Sequence, residues 1–276
     1  MYKKRRQHMY IADYHTHTNF SGDSEAAIND MIKTGIKKGL KEIAITDHID
    51  FEYPSNDIEF KLDIDNYVNT ITKLKEKFYG DIKILLGVEV GLQPHVSKKN
   101  MELVKGHSFD FVIGSVHVGD SLDFYNGDFF KGKTKKQAYL RYFENIIENI
   151  EKFNNYDVLG HLDYIIRYGG YEDKELSYND YLDIIDTILK LIIKNDSGVE
   201  INTSGYRYGL NQTHPKYEIL KRYKELGGKI VTVGSDSHTP RDITADFNKA
   251  YGLLKEVGFE SITLFDKRKP RFEKIK

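Results

Sequence analysis

KILLGVEVGL, residues 83–92, decides how the chain is read. It opens as an apolar run of strand length. Within the run stands Glu89, a carboxylate that is costly among apolar side chains unless it is paired or binds a metal. An ion pair with a nearby Lys or Arg would meet that cost too, so the neighbours of the motif must decide. Working outward, the same arrangement recurs. Candidate strands fall at 10–14, 42–46, 83–89, 109–116, 157–160, 199–202 and 229–234. His15 and His17 follow the first, His48 the second, and His117 the fourth; His161 follows the fifth, and Asp236 with His238 follow the last.

Between the strands lie segments of helical period, at 26–38, 66–78, 135–153, 178–195, 215–226 and 245–256. Ser24 is a candidate N-cap for the first, which stops at Gly39; Pro215 suits a first helical turn. Strand and helix thus alternate about seven times, the pattern of a parallel sheet with crossover helices. In a βα barrel the C-terminal strand ends converge on one face, where sites are built. Residues far apart in sequence then meet in one pocket. A further strand at 261–265 is expected at an edge or closing position, and the charged tail DKRKPRFEKIK is expected on the surface.

The chain has 276 residues, within the range of a single barrel domain. Residues 1–9 read as a flexible tail and 10–276 as one domain, with Met9 an alternative start. The basic run KKRR in that tail reads as a solvated end. Lys plus Arg number 41 against 42 Asp plus Glu, so the overall charge gives no general attraction for nucleic acid or an anionic membrane. No run approaches the ~18 apolar residues of a membrane span. Cysteine is absent, which excludes disulfides, thiolate zinc sites and cysteine nucleophiles, and fits a cytoplasmic protein. Oligomeric state is not legible.

The candidate metal ligands are His15, His17, Asp23, His48, Glu89, His117, His161, Asp236 and His238; they include six of the chain's 10 histidines. Imidazole and carboxylate hold divalent zinc, iron or manganese, and this many ligands exceeds the needs of one ion. Residues two apart on an extended strand point the same way, so His15 and His17 can reach one ion, as can Asp236 and His238. Each pair is a weak signal alone; their conjunction at strand ends carries the reading of a multinuclear metallohydrolase. A water bridging two cations loses a proton near neutral pH and becomes a nucleophile, so no Ser or Cys nucleophile is needed.

Taken together, DYHTHTNFSGDS, ITDHIDF, GVEVGLQP, FDFVIGSVH, VLGHLDYIIRYG, VEINTSGYR and GSDSHTP resemble the PHP (polymerase and histidinol phosphatase) family, and most resemble its histidinol-phosphatase branch. The likeness runs from His15 to His238. It implies a distorted (βα)7 barrel, α/β in class, with its metal centre of three divalent ions at the C-terminal strand ends. It implies that His15, His17, Glu89 and Asp236 hold the first ion. Glu89 would bridge to a second, shared with His117 and His161, and Asp23, His48 and His238 would hold the third. Some members carry histidine where Asp23 stands; a carboxylate remains a competent ligand. The implied activity is hydrolysis of L-histidinol phosphate in histidine biosynthesis, by direct attack of a metal-activated hydroxide on phosphorus. The alternatives are another phosphomonoester, such as phosphotyrosine or a nucleotide, and a silent PHP module, against which the filled ligand positions argue.

Arg167 and Arg207 are expected to clamp the substrate phosphate, because guanidinium binds two oxygens at once. Both also match positions associated with phosphate in the resembled branch. Asp163 is a candidate acid for the leaving group or a partner that orients a ligand. Asp13 and Asp47 are candidates to orient imidazoles. Asp50, Phe51, Glu52 and Tyr53 are candidates to line the substrate pocket. His8, His95, His107 and His214 read as tail or local turn residues.

Overall fold

The computed structural model describes residues 10–55 and 59–275; the tail expected over 1–9, with its basic run and His8, lies outside them. The strands are β1 (Ala12–Asp13), β2 (Glu42–Ile45), β3 (His48–Ile49), β4 (Lys83–Gly91), β5 (Phe111–Ser115), β6 (Val118–Gly119), β7 (Leu122–Asp123), β8 (Val158–Leu159), β9 (Gly198–Asn202), β10 (Val231–Gly234), β11 (Ser261–Asp266) and β12 (Lys269–Lys274). The main sheet runs β1-β2-β4-β5-β8-β9-β10, parallel throughout, with β3 also paired to β4. β2 and β3 are successive segments along β4: Ile45 pairs with Leu86 and His48 with Glu89. The sheet therefore has seven staves. It nearly closes where Tyr14 N–H donates to Val233 C=O at 3.1 Å and Thr16 bridges Ser237.

The helices are α1 (Ile28–Lys38), α2 (Ile64–Lys77), α3 (Ser97–Gly106), α4 (Lys135–Lys152), α5 (Leu182–Lys194), α6 (Ser204–Arg207), α7 (Tyr217–Glu225) and α8 (Phe247–Val257). β4 is buried along nearly its whole length, which explains why its sequence is continuously apolar rather than alternating. Local signals set the helix ends. Thr134 and Gln137 form a reciprocal cap ahead of α4, and Gly39 takes the left-handed conformation (φ 82°) that stops α1.

Several expected boundaries change. Ser24 is not the cap of α1; Ala27 holds that position, and the Ser24 hydroxyl donates to the His238 carbonyl at 3.1 Å. Pro215 precedes α7 rather than opening it, and its peptide bond to His214 is cis. Residues Tyr178–Tyr181 form a separate 3-10 turn before α5. The strand expected at 261–265 is not part of the barrel: it pairs with the charged tail as the antiparallel hairpin β11–β12. That hairpin covers the amino-terminal mouth of the barrel. Thr263 accepts from Val231 N–H at 3.0 Å, Arg268 reaches Asp157 at 3.1 Å, and Arg271 pairs with Glu42, all at strand starts. Inside this mouth Tyr14 packs edge-to-face on Phe111, and Phe111 packs at a tilt on Phe265, with ring centroids 4.9 and 5.1 Å apart.

Candidate metal centre and substrate pocket

With one mouth covered, the carboxyl ends of the strands form the other. Here the turns after each strand deliver the expected ligands to one place. Glu89, wholly buried on β4, is the hub. Its Oε2 lies 3.1 Å from His15 Nε2, 3.5 Å from His17 Nε2 and 3.1 Å from His48 Nδ1. Its Oε1 lies 3.1 Å from His161 Nε2 and 3.4 Å from His117 Nε2. Asp236 Oδ1 stands 3.8 and 3.6 Å from the Nε2 atoms of His15 and His17. Asp23 Oδ2 is 3.1 Å from His238 Nε2 and 3.7 Å from His48 Nε2.

The donor set fits divalent cations. Ligand atoms about 2.1 Å from one ion at tetrahedral or octahedral angles lie about 3.0–3.4 Å from each other, and the separations here, 3.1–3.8 Å, start in that range and run slightly beyond it. Four groups of three close ligands overlap: His15, His17 and Glu89; Glu89, His117 and His161; His17, His48 and His238; and His48, Asp50 and His117. The Nε2 of His17 is buried without a hydrogen-bond partner, a position that a neutral imidazole tolerates when its lone pair meets a metal. Burial pushes the His17 imidazole down to about 3, reinforced by His238 and His48, so it stays neutral. Burial alone would raise the Glu89 carboxyl, but His15, His48 and His117 outweigh it and hold Glu89 well below the carboxylate range.

The rings are oriented from behind. Glu200 Oε1 accepts from His15 Nδ1 at 2.6 Å, and Oε2 accepts from His161 N–H at 3.0 Å. Asp50 Oδ1 accepts from His117 Nδ1 at 2.8 Å. Ser21 donates to Asp47 at 2.7 Å, which leaves its oxygen to accept from His17 Nδ1 at 3.2 Å. For His15, His17 and His117 these acceptors assign the proton to Nδ1 and leave the Nε2 lone pair facing the cluster, whereas His161 is held through its backbone. Backbone at the ligands is unusual too: Asp236 has φ 53°, in the left-handed region. The turn needs space as well, because a Cβ on Gly234 would collide with Glu200 and His15.

The centre forms part of the wall of a cavity of about 400 Å³, a size suited to a small molecule. Arg167 also lines it. Its guanidinium lies between the rings of Tyr164 and Tyr208, 4.6 and 4.4 Å from their centroids. Nε donates to His214 Nε2 at 3.2 Å, and Nη2 donates to Ser204 and, at 3.2 Å, to Asp236. Nη1 makes no hydrogen bond within the described residues.

Several expected site residues take other places. Asp163 is wholly buried outside the cavity: it accepts from His214 Nδ1 at 2.5 Å and from Lys216 N–H at 2.9 Å. Both oxygens are committed, so Asp163 is not placed as an acid for the leaving group. It orients His214, which in turn holds Arg167. His214 is therefore no local turn residue but the middle of a buried chain. Arg207 sits behind the cavity wall, donating to the Asp236 carbonyl at 2.6 Å, with Nη1 buried and unpartnered. Asp13 braces the backbone of Ser235 and Thr244 rather than an imidazole ring, and Asp47 reaches His17 only through Ser21. Asp50 serves His117, and Glu52 faces outward to Lys99. Tyr53 does line the cavity. Glu200 and His214 escaped the sequence reading. Glu200 was detectable, since VEIN places a carboxylate in an apolar strand just as GVEV does.

Comparison with known proteins agrees with this geometry. The profile of the PHP domain matches residues 13–204. The chain belongs to the PHP family. A probable histidinol-phosphatase of Clostridium acetobutylicum is 38% identical, over 94% of this chain and 98% of that protein. The histidinol-phosphatase of Lactococcus lactis is 34% identical, over 92% and 93%. The crystal structure of the Lactococcus lactis histidinol phosphate phosphatase, complexed with zinc, L-histidinol and phosphate, superposes with a TM-score of 0.89 at 33% identity, covering 95% of this chain and 98% of that one. The PHP barrel is thus the fold of this chain. No helix among the described residues is long and apolar enough to cross a membrane.

Proposed function

We propose that the chain is a histidinol-phosphatase, hydrolysing L-histidinol phosphate to L-histidinol and phosphate in histidine biosynthesis. The observation that carries this is the convergence of four overlapping ligand groups and a cavity-facing guanidinium on one pocket, in a chain alike over nearly its full length to histidinol-phosphatases. The zinc, L-histidinol and phosphate in the Lactococcus lactis structure support the substrate class.

Three divalent ions, zinc, iron or manganese, are assigned to the centre. His15, His17, Glu89 and Asp236 would hold one; Glu89, His117 and His161 a second; Asp23, His48 and His238 a third. Such cations lower the pKa of water toward neutrality and offset charge on the phosphate and the leaving oxygen. The protein's own part is positioning. Arg167 presents Nη1 to the cavity while Asp163, His214, Tyr164 and Tyr208 keep the guanidinium from swinging away. Arg207, also expected at the phosphate, is assigned a supporting role from behind the cavity wall, where it holds the backbone of Asp236. The substrate is a small phosphomonoester, and the reaction is placed in the cytoplasm with the rest of amino-acid synthesis.

The test is phosphate release from L-histidinol phosphate by metal-loaded enzyme, beside Glu89→Ala and a panel containing phosphotyrosine and a nucleotide. A strong preference for L-histidinol phosphate, lost in the variant, is expected. Release from other esters alone would keep the hydrolase and discard this substrate. No metal-dependent release from any ester would leave a silent PHP module.

A further inference from the structure

Asp123 belongs to none of the ligand groups, yet its side chain is buried and lines the same cavity. It stands on β7, and hairpin pairing sets it opposite Val118, the residue directly after the ligand His117. The hairpin is packed onto the core: a Cβ on Gly119 would lie 2.7 Å from Phe129. Asp123 is therefore held beside the metal centre and not on a loose loop.

Its two oxygens differ. Oδ1 accepts from the Tyr53 hydroxyl at 2.8 Å and from Tyr125 N–H at 2.7 Å. Burial and the nearby Asp123 both push the Tyr53 hydroxyl up, so it keeps its proton and donates. Oδ2 makes no hydrogen bond within the described residues. A role confined to bracing the hairpin would need Oδ1 alone. Among the described residues no lysine lines the cavity, and the one arginine that does, Arg167, is already paired with Asp236. A buried carboxylate with a spare oxygen on a cavity wall is a site for a cationic N–H donor. Aromatic rings connect it to the metal centre: Phe60 lies 4.9 Å from the His48 ring and 4.8 Å from Tyr53. A substrate with phosphate at the centre and a nitrogen base beyond it would run along this wall.

We propose that Asp123 is a specificity-determining residue that binds a protonated nitrogen, ammonium or imidazole, of the substrate's organic part. This rests on the activity proposed above. The experiment compares wild type with Asp123→Asn by the ratio of kcat/KM for L-histidinol phosphate to that for p-nitrophenyl phosphate, which has no basic nitrogen. The ratio should fall about 10- to 100-fold in the variant, the worth of a hydrogen bond between charged partners. The analogue lacking the amino group and an amino-alcohol phosphate lacking the imidazole identify the nitrogen: the sensitive analogue carries it. Tyr53→Phe, which removes one brace, should move the ratio the same way by less. An unchanged ratio in Asp123→Asn, with wild type still preferring L-histidinol phosphate, would overturn the assignment alone. Wild type that cleaves p-nitrophenyl phosphate but not L-histidinol phosphate would overturn the activity and this assignment together.

Discussion

Glu200 shows how much a single side chain behind the ligands controls. One oxygen fixes His15 and the other the backbone of His161, so it sets two ligands of different groups at once. Glu200→Gln keeps the shape but turns one acceptor into a donor facing a donor. Such changes typically cost 10–100-fold in metal affinity or activity. We expect the purified variant to retain less metal by elemental analysis and to lose about that factor in kcat/KM; full metal content with full activity would refute the role. At this scale the sequence was legible where a candidate ligand stands at a strand end and the structure gathers it into one cluster. His15, His48, Glu89 and His238 announce themselves by type and by place at a strand end. His214 did not, because its meaning lies in Asp163 and Arg167, 51 and 47 residues away, and nothing near Pro215 points to them.

The elements were legible where burial wrote the pattern. β4, β5 and β10 are apolar because both their faces are covered, and all three were placed within a residue or two. β12 was missed because KPRFEK is mostly exposed, and its strand conformation comes from pairing with β11 rather than from its own composition. The two-residue strands β6 and β7 are too short to carry a period. Among helices, α5 is held on both sides. Leu189 on its inner face is wholly buried, so Leu189→Ala should cost about 2–5 kcal/mol in urea unfolding. On its other side Asp186 pairs with Arg222 of α7 at 2.6 and 2.8 Å, and those bonds lower the Asp186 carboxyl. A lowered folded-state pKa contributes stability that is full above the ordinary carboxylate range and lost as pH falls through the lowered value. Asp186→Asn should therefore melt below wild type at pH 7, and the gap should close as pH drops below about 4. A gap that persisted in acid would rule out this ion pair as its source.

For the molecule as a whole, the metal centre is where the barrel is drawn together. Its candidate ligands come from β4 itself and from the turns after most of the other strands, and the acids and imidazoles buried together there would be stabilised by a bound cation. Chelation should lower the melting temperature by roughly 5–10 °C, and returning zinc or manganese should restore it. An unchanged melting curve would mean that the ions are not tied to folding. The seam of the barrel carries one more consequence. β1 meets β10 there, and beyond it His15 and His17 face Asp236 and His238. The earliest and latest ligands of the chain thus share one centre. A ribosome releasing this protein exposes His15 first, yet the centre stays unfinished until the GSDSH turn has left the exit tunnel. On the proposed assignment, the set of His15, His17, Glu89 and Asp236 gains its last member only then, a late event in the life of each new molecule.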